Sequence, residues 1–195
     1  IDLVIKRIQK ANRIDSVIVA TTTNLLDDKL CLYIRKNFKN VKIVRGSEND
    51  VLGRYCLAID EVKDDTPIVR ITADCPLVDP DLLDNMVALF TTKDVDYLSN
   101  TICATFPDGF DIEIFKKSVL LMANDTSRSA FDREHVTPFI KRNFKVLNYT
   151  NILGDYSHYR ATIDEQTDLE FFRSISQVFD LSLIGFEEFC KFISE

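Results

Sequence analysis

The feature that most constrains this chain is a regular exchange between two hydrophobic periods. Short apolar runs that suit buried strands alternate with longer segments whose apolar residues recur every three or four positions. In the opening segment Leu3, Val4, Ile8 and Ala11 recur at helical spacing, with Lys6, Arg7 and Lys10 falling between them. Residues 16–21 (SVIVAT) then read as a buried strand, 25–38 as a helix and 41–45 as the next strand. Gly46-Ser47 ends that strand and opens a helix to about Val62, with Ser47 and Asp50 in capping-box spacing. VRITADCPLVDP (69–80) supplies a further strand and leads into a helix over 80–90, and VDYLS (95–99) supplies another short strand. This alternation predicts an α/β layer around a largely parallel sheet.

The middle of the chain is less regular. DGFDIEIF (108–115) reads as a strand, 117–123 as a helix, and RNFKVLNYT (142–150) contains another strand. YRATID (159–164) reads as a strand followed by helices over 168–179 and 185–192. No internal repeat, low-complexity run or linker interrupts the 195 residues, so a single domain over 1–195 is expected. With 46% hydrophobic and 28% charged residues the composition is that of a soluble globular chain. No apolar run approaches the roughly 20 residues of a membrane span, and no signal-peptide pattern is present. A net charge of −7 argues against a nucleic-acid partner but not against small anionic substrates, which need only a local positive pocket. The five cysteines are scattered and never spaced as CxxC, which predicts reduced thiols in a cytoplasmic protein and no zinc site.

In open α/β sheets ligands bind beyond the carboxyl ends of the strands, so the acidic residues there need individual accounts. Asp79 precedes Pro80 and reads as an N-cap with proline at the first helical position; Asp81 suits the first turn of the same helix. Asp74 lies several residues before that helix, and either an Asx turn or a ligand role would account for it. The arrangement recurs in YRATIDEQTDLEFF: Thr167 and Glu170 have capping-box spacing, Asp168 falls in the first turn, and Asp164 is left over. Two strand-end aspartates can converge at one edge of a parallel sheet. A pair of carboxylates with no thiolate or imidazole between them is a hard-oxygen site, suited to Mg²⁺ that also takes substrate phosphate oxygens. Cys75, a soft thiol, reads as a packing residue.

Six motifs then occur in a characteristic order: GSENDVLGRY, VRITADCPLVDP, YLSNT, PDGFDIEIF, DREHVTPFI and YRATIDEQTDLE. Together they resemble the cytidylyltransferase-like family of spore-coat polysaccharide biosynthesis, related to the synthetases of CMP-activated acidic sugars. The resemblance spans nearly the whole chain. It implies a three-layer, Rossmann-like nucleotide-diphospho-sugar transferase fold with a mixed, mainly parallel sheet. It also implies a reaction in which CMP passes from CTP to a sugar or sugar-like acceptor and pyrophosphate leaves, in polysaccharide precursor biosynthesis. Asp74 and Asp164 match the family's metal carboxylates, so the resemblance assigns them Mg²⁺.

Other site candidates follow from position and resemblance together. Gly53 costs roughly 1 kcal/mol inside a helix, which close packing or a bordering ligand cleft would explain, and Arg54 beside it reads as a surface cation or a phosphate contact. Arg70, on a buried strand, needs a partner: a salt bridge or a substrate. Pro107-Asp108-Gly109 is a turn sequence, while Asp111 and Glu113, two apart on one strand face, match the acceptor side and would hold sugar hydroxyls. In DREHVTP either Asp132 caps a helix that Pro138 disturbs, or Thr137-Pro138 starts one; Arg133 and His135 are the candidates there for acceptor or interface contacts.

The resemblance further implies an N-terminal strand and a Gly-rich basic loop around the triphosphate. This chain has five glycines, none before Gly46, so both are expected to be missing, leaving the neighbouring strands with unpaired edges. Two competing functions remain. One is a metal-dependent glycosyltransferase, for whose D-x-D motif Asp94-Val95-Asp96, just before a strand, is the candidate once Asp79-Pro80-Asp81 is read as a helix start; the other is an inactive, truncated binding subunit. A homodimer is a further expectation from the family.

Overall fold

A computed structural model of the chain describes residues 1–194. Helix α1 (Asp2–Ile8) leads into strand β1 (Val17–Thr22). A short 3₁₀ turn (Leu25–Asp27) and helix α2 (Asp28–Asn37) follow, then β2 (Val41–Gly46), α3 (Val51–Ala58) and β3 (Pro67–Arg70). Next come α4 (Pro80–Thr92), β4 (Tyr97–Ser99), β5 (Glu113–Lys116) and α5 (Lys117–Thr126). Helices α6 (Ala130–His135) and α7 (Pro138–Asn143), strand β6 (Val146–Asn148), and α8 (Gln166–Ile175) and α9 (Phe186–Ser194) complete the chain.

The strands form two sheets, β1-β2 and β3-β5-β4-β6. β1 and β2 are parallel, as are β4 and β6, while β5 runs antiparallel to both β3 and β4. Alternation along the second sheet builds a core on each face. Ile68, Tyr97 and Phe115 pack with Leu52 of α3, Leu120 of α5 and Ile140 of α7. Leu98 and Ile114 point the other way, into a larger cluster with Leu83 and Met86 of α4, Phe172 of α8 and Phe189 of α9. The result is helix, sheet, helix: the α/β layering that the periodicity predicts.

Helix α3 fixes how the two sheets face each other. Its first turn lies over the end of β2, where Arg54 closes on Gly46. Beyond its far end, Lys117 donates to Val62 O at 2.6 Å, beside the start of β3, where Lys116 faces Pro67. β3 therefore runs in the same direction as β1 and β2. The free edges of β1 and β3 border a cleft of about 410 Å³ lined by residues 16–20 and 66–73, with Val4 and Ile8 of α1 and Tyr55 and Ala58 of α3 among its walls.

Several local expectations are corrected. Residues 159–164 do not form a strand; Arg160 makes only an isolated bridge to Asp108, because loops rather than a ladder satisfy this backbone. Ala161 N donates to Asp108 O at 2.6 Å and Ile163 N to Asp74 O at 2.9 Å. β5 begins at Glu113 rather than Asp108, since Asn100 takes the preceding groups: its Nδ2 donates to Phe110 O at 2.8 Å and its Oδ1 accepts from Ile112 N at 2.9 Å. Asp50, not Ser47, caps α3 by accepting from Gly53 N at 2.9 Å. The box on α8 uses Glu165 and Asp168, two residues ahead of the Thr167 and Glu170 pairing. Arg7, one of the basic residues between the apolar positions of α1, is 1% exposed and donates to Val78 O at 2.8 Å and Leu181 O at 2.9 Å, tying α1 to the loop after β3. Of the two readings of DREHVTP, Thr137-Pro138 does start a helix, α7, whereas Asp132 caps none: it lies inside α6, whose cap Ser129 accepts from Asp132 N at 3.0 Å.

Candidate active site

Three loops meet past the carboxyl end of β3. The first, residues 71–76, carries Asp74 and is held rigid by buried Pro76. The second is the turn at 107–109. Gly109 has φ +102°, and a Cβ there would lie 2.5 Å from the carbonyl carbon of Ala161, so only glycine lets these two backbones touch. The third, residues 159–168, is laced to both by the Ala161 and Ile163 hydrogen bonds. Since Ile163 N–H binds Asp74 O at 2.9 Å, the adjoining Asp164 stands beside the Asp74 loop. The two aspartates left without a capping role thus lie on adjoining segments.

Their surroundings differ. Among the described residues the Asp74 carboxylate meets only the Cys75 thiol, at 3.7 Å. Asp164 pairs with Arg160 at 2.6 Å, and that guanidinium, with Thr162, holds its carboxyl below the usual range. Arg160 also binds Asp168 through both nitrogens, at 3.1 and 2.9 Å. Burial pushes the Asp111 carboxyl up to about 6, with nearby Asp108 and Glu113 adding to the shift. Burial also raises the Cys75 thiol to about 12, so it stays protonated and inert, a packing residue.

No group of three or more His, Cys, Asp or Glu side chains among the described residues is arranged to hold a metal by itself. The donor set nonetheless fits Mg²⁺. Asp74 and Asp164 offer hard oxygens, Asp74 is open, and a Mg²⁺ ion ordinarily takes only one or two carboxylates and completes its shell with water and phosphate oxygens.

The remaining candidates fall into two groups. Arg54 lines the cleft, donates to Ser47 O at 2.9 Å and leaves its buried Nε without a partner among the described residues. Among the described residues Asp111 has no ion-pair partner, and Asp74 is one of the charges near it. By contrast Glu113, 4% exposed, is the centre of an internal network beneath α7. It pairs with Arg70, accepts from Tyr97 Oη at 2.5 Å and Thr137 Oγ1 at 2.7 Å, and meets Lys141 at 3.2 Å. Burial opposes its charge, yet Arg70 and Lys141 hold its carboxyl below the usual range. Glu113 is therefore committed to internal partners, and the hydroxyl-binding face expected of Asp111 and Glu113 together is reduced to Asp111; Arg70 pairs with Glu113 through Nη1 but also lines the cleft, its buried Nε without a partner among the described residues. Arg133 is likewise engaged, with Asp50 at 2.7 Å and Asn124 at 2.9 Å. His135 is exposed, its ring 4.5 Å from that of Phe131. Next to it Val136 has φ 71° and ψ −57°, with Thr137 N donating to His135 O at 2.8 Å, a strained γ-turn that seats the Thr137 hydroxyl on Glu113.

Sequence reasoning missed Arg160 and Asn100. A cation four residues before Asp164 was the available signal for the first; for the second, only the contacts reveal the clamp. The D-x-D aspartates precede β4 and pair with lysines, Asp94 with Lys145 at 2.9 Å and Asp96 with Lys116 at 2.7 Å.

A cytidylyltransferase family model matches residues 1–189. This chain belongs to that family. Membership makes it a nucleotidyltransferase and accounts for the mixed sheet. A cytidylyltransferase from Leptospira borgpetersenii is 35% identical and superposes with a TM-score of 0.91, covering 98% of this chain and 81% of the other. The spore coat polysaccharide biosynthesis protein SpsF of Bacillus subtilis is 33% identical over 172 residues, 84% of this chain and 68% of that protein. An uncharacterized protein of Methanocaldococcus jannaschii is 31% identical over 206 aligned positions, 100% of this chain and 79% of its own length. The CMP:2-keto-3-deoxy-manno-octonic acid synthetase in complex with CTP shares the fold at 12% identity, with a TM-score of 0.65 over 92% of this chain and 88% of the other. No helix among the described residues is long and apolar enough to cross a membrane.

Proposed function

We propose that this cytidylyltransferase-family protein transfers CMP from CTP to a hydroxyl of a sugar or sugar-like acceptor, for polysaccharide or surface-glycan precursors. The acceptor oxygen attacks the α-phosphorus, the bond to the bridging oxygen breaks, pyrophosphate leaves, and the hydroxyl proton passes to solvent. The observation that supports this best is the placing of Asp74 and Asp164 on adjoining segments by the Ile163 to Asp74 hydrogen bond. Asp74 and Asp164 would hold Mg²⁺, which when bound neutralises charge on phosphate oxygens. Arg54 supplies positive charge at the cleft, and Asp111 is the carboxylate free to accept hydrogen bonds from acceptor hydroxyls. Pyrophosphate leaves with little need of proton transfer, so positioning and electrostatics carry most of the rate.

Pyrophosphate release from CTP, Mg²⁺ and a panel of acceptor sugars tests the reading. Asp74→Asn and Asp164→Asn should each lower the rate by at least about a hundredfold. Undiminished release in either variant would sink the metal assignment, and no release with any acceptor would sink the reaction. The glycosyltransferase reading gains no support from Asp94 and Asp96, which precede β4 and so lie at the end of the sheet opposite the carboxyl end of β3.

A further inference from the structure

Arg160 holds its three partners unequally. Its Nε donates to Thr162 Oγ1 at 2.7 Å, and both terminal nitrogens engage Asp168, whose side chain is 15% exposed. Only Nη2 reaches Asp164, at 2.6 Å, and that carboxylate is 50% exposed. Asp168 is further committed, accepting from the backbone N–H of Asp164 and of Glu165 at 2.9 Å each. The guanidinium is thus anchored on Thr162 and Asp168, with Asp164 its one labile contact, because an exposed single-point pair is worth at most about 1 kcal/mol.

We propose that Arg160 is the resident counter-ion of Asp164, and that a divalent cation takes Asp164 by displacing this one contact while Thr162 and Asp168 keep the guanidinium in place. The inference rests on the metal reading of Asp74 and Asp164. It makes Arg160 a positioning residue that sets cation affinity: shared with Asp168, it offsets part of the Asp164 charge in the resting protein and makes the cation compete for that carboxylate. An arrangement of this kind discourages cation binding until substrate phosphates add their own oxygens to the shell.

The test is cation binding rather than turnover. Binding of Mn²⁺ alone, followed by electron paramagnetic resonance of the free ion, is compared in the wild type, Arg160→Gln and Asp164→Asn. Arg160→Gln should bind up to about fivefold more tightly, the loss of competition from one exposed ion pair, and Asp164→Asn should bind more weakly than the wild type. In parallel, arginine-labelled protein is titrated with Mg²⁺, and the guanidinium resonances that vanish in Arg160→Gln are followed. They should lose the restricted rotation of the Asp164 contact as the ion binds. Equal or weaker Mn²⁺ binding by Arg160→Gln, or Arg160 resonances indifferent to Mg²⁺, would overturn the displacement while leaving the metal site intact. If Asp164→Asn binds Mn²⁺ as well as the wild type, the metal reading itself falls.

Discussion

Glu113→Ala is the substitution that best separates a structural carboxylate from a substrate-binding one. The side chain is 6% exposed and receives Arg70, Lys141, the Tyr97 hydroxyl at 2.5 Å and the Thr137 hydroxyl at 2.7 Å. Removing it strands Arg70, whose side chain is only 19% exposed, and leaves two hydroxyls without their acceptor. Breaking a buried ion pair from one side costs about 3–5 kcal/mol. Lys141 is 36% exposed and can turn to water, which places the expectation near the lower bound, about 3 kcal/mol. Urea unfolding followed by circular dichroism at pH 7 measures it, with an unchanged slope showing that the two states compared are the same. The double variant Arg70→Met, Glu113→Leu supplies the control. Replacing both charges by apolar groups removes the stranded partner, so most of the loss should return. If Glu113→Ala costs less than about 1 kcal/mol and still abolishes pyrophosphate release, the network is not what holds this face together. Glu113 would then be a substrate residue, as its place in PDGFDIEIF first indicates.

Two further outcomes follow from the site itself. Asp111, raised from 3.8 to about 6 by burial, favours the folded state fully below its unfolded pKa, and that contribution is lost as pH rises through 6. Asp111→Asn cannot titrate, so its stability relative to the wild type should improve between pH 4 and 7, by at most about 3 kcal/mol for a shift of about two units; a pH-independent difference would refute the buried charge. Gly109→Ala forces a Cβ to within 2.5 Å of Ala161 at φ +102°, and should lower the midpoint of thermal unfolding by several degrees. An unchanged midpoint would show that the 107–109 turn is not clamped against the 159–168 loop.

Local pattern carried much of this molecule into view. The alternation of periods determined the α/β layering, since strands such as β1 and helices such as α4 announce themselves by spacing and by the Asp79-Pro80 start. The strand-end aspartates stood out by elimination, because Asp79 and Asp81 had helical explanations and Asp74 had none. Sequence proximity failed where backbone hydrogen bonds were satisfied by distant partners. The segment 159–164 has the composition of a strand but spends its donors on Asp74 and Asp108, and residues 110–112 are held by Asn100 instead of a ladder. Arg7, polar by its letter, is buried because three carbonyls far along the chain receive it.

By itself, then, the sequence determined the class of fold, the family and the identity of the surplus carboxylates, since all of these are written in local period, capping chemistry and motif order. Only the tertiary structure decided which charges are free to act. Arg70 and Glu113 lie 43 positions apart, yet the β3 and β5 register sets them opposite each other and commits the buried Glu113 carboxylate to an internal pair. The same three-dimensional closure leaves Asp74 open and binds Asp164 to Arg160. A charge is available for chemistry only when nothing nearer neutralises it, and nearness is a property of the fold.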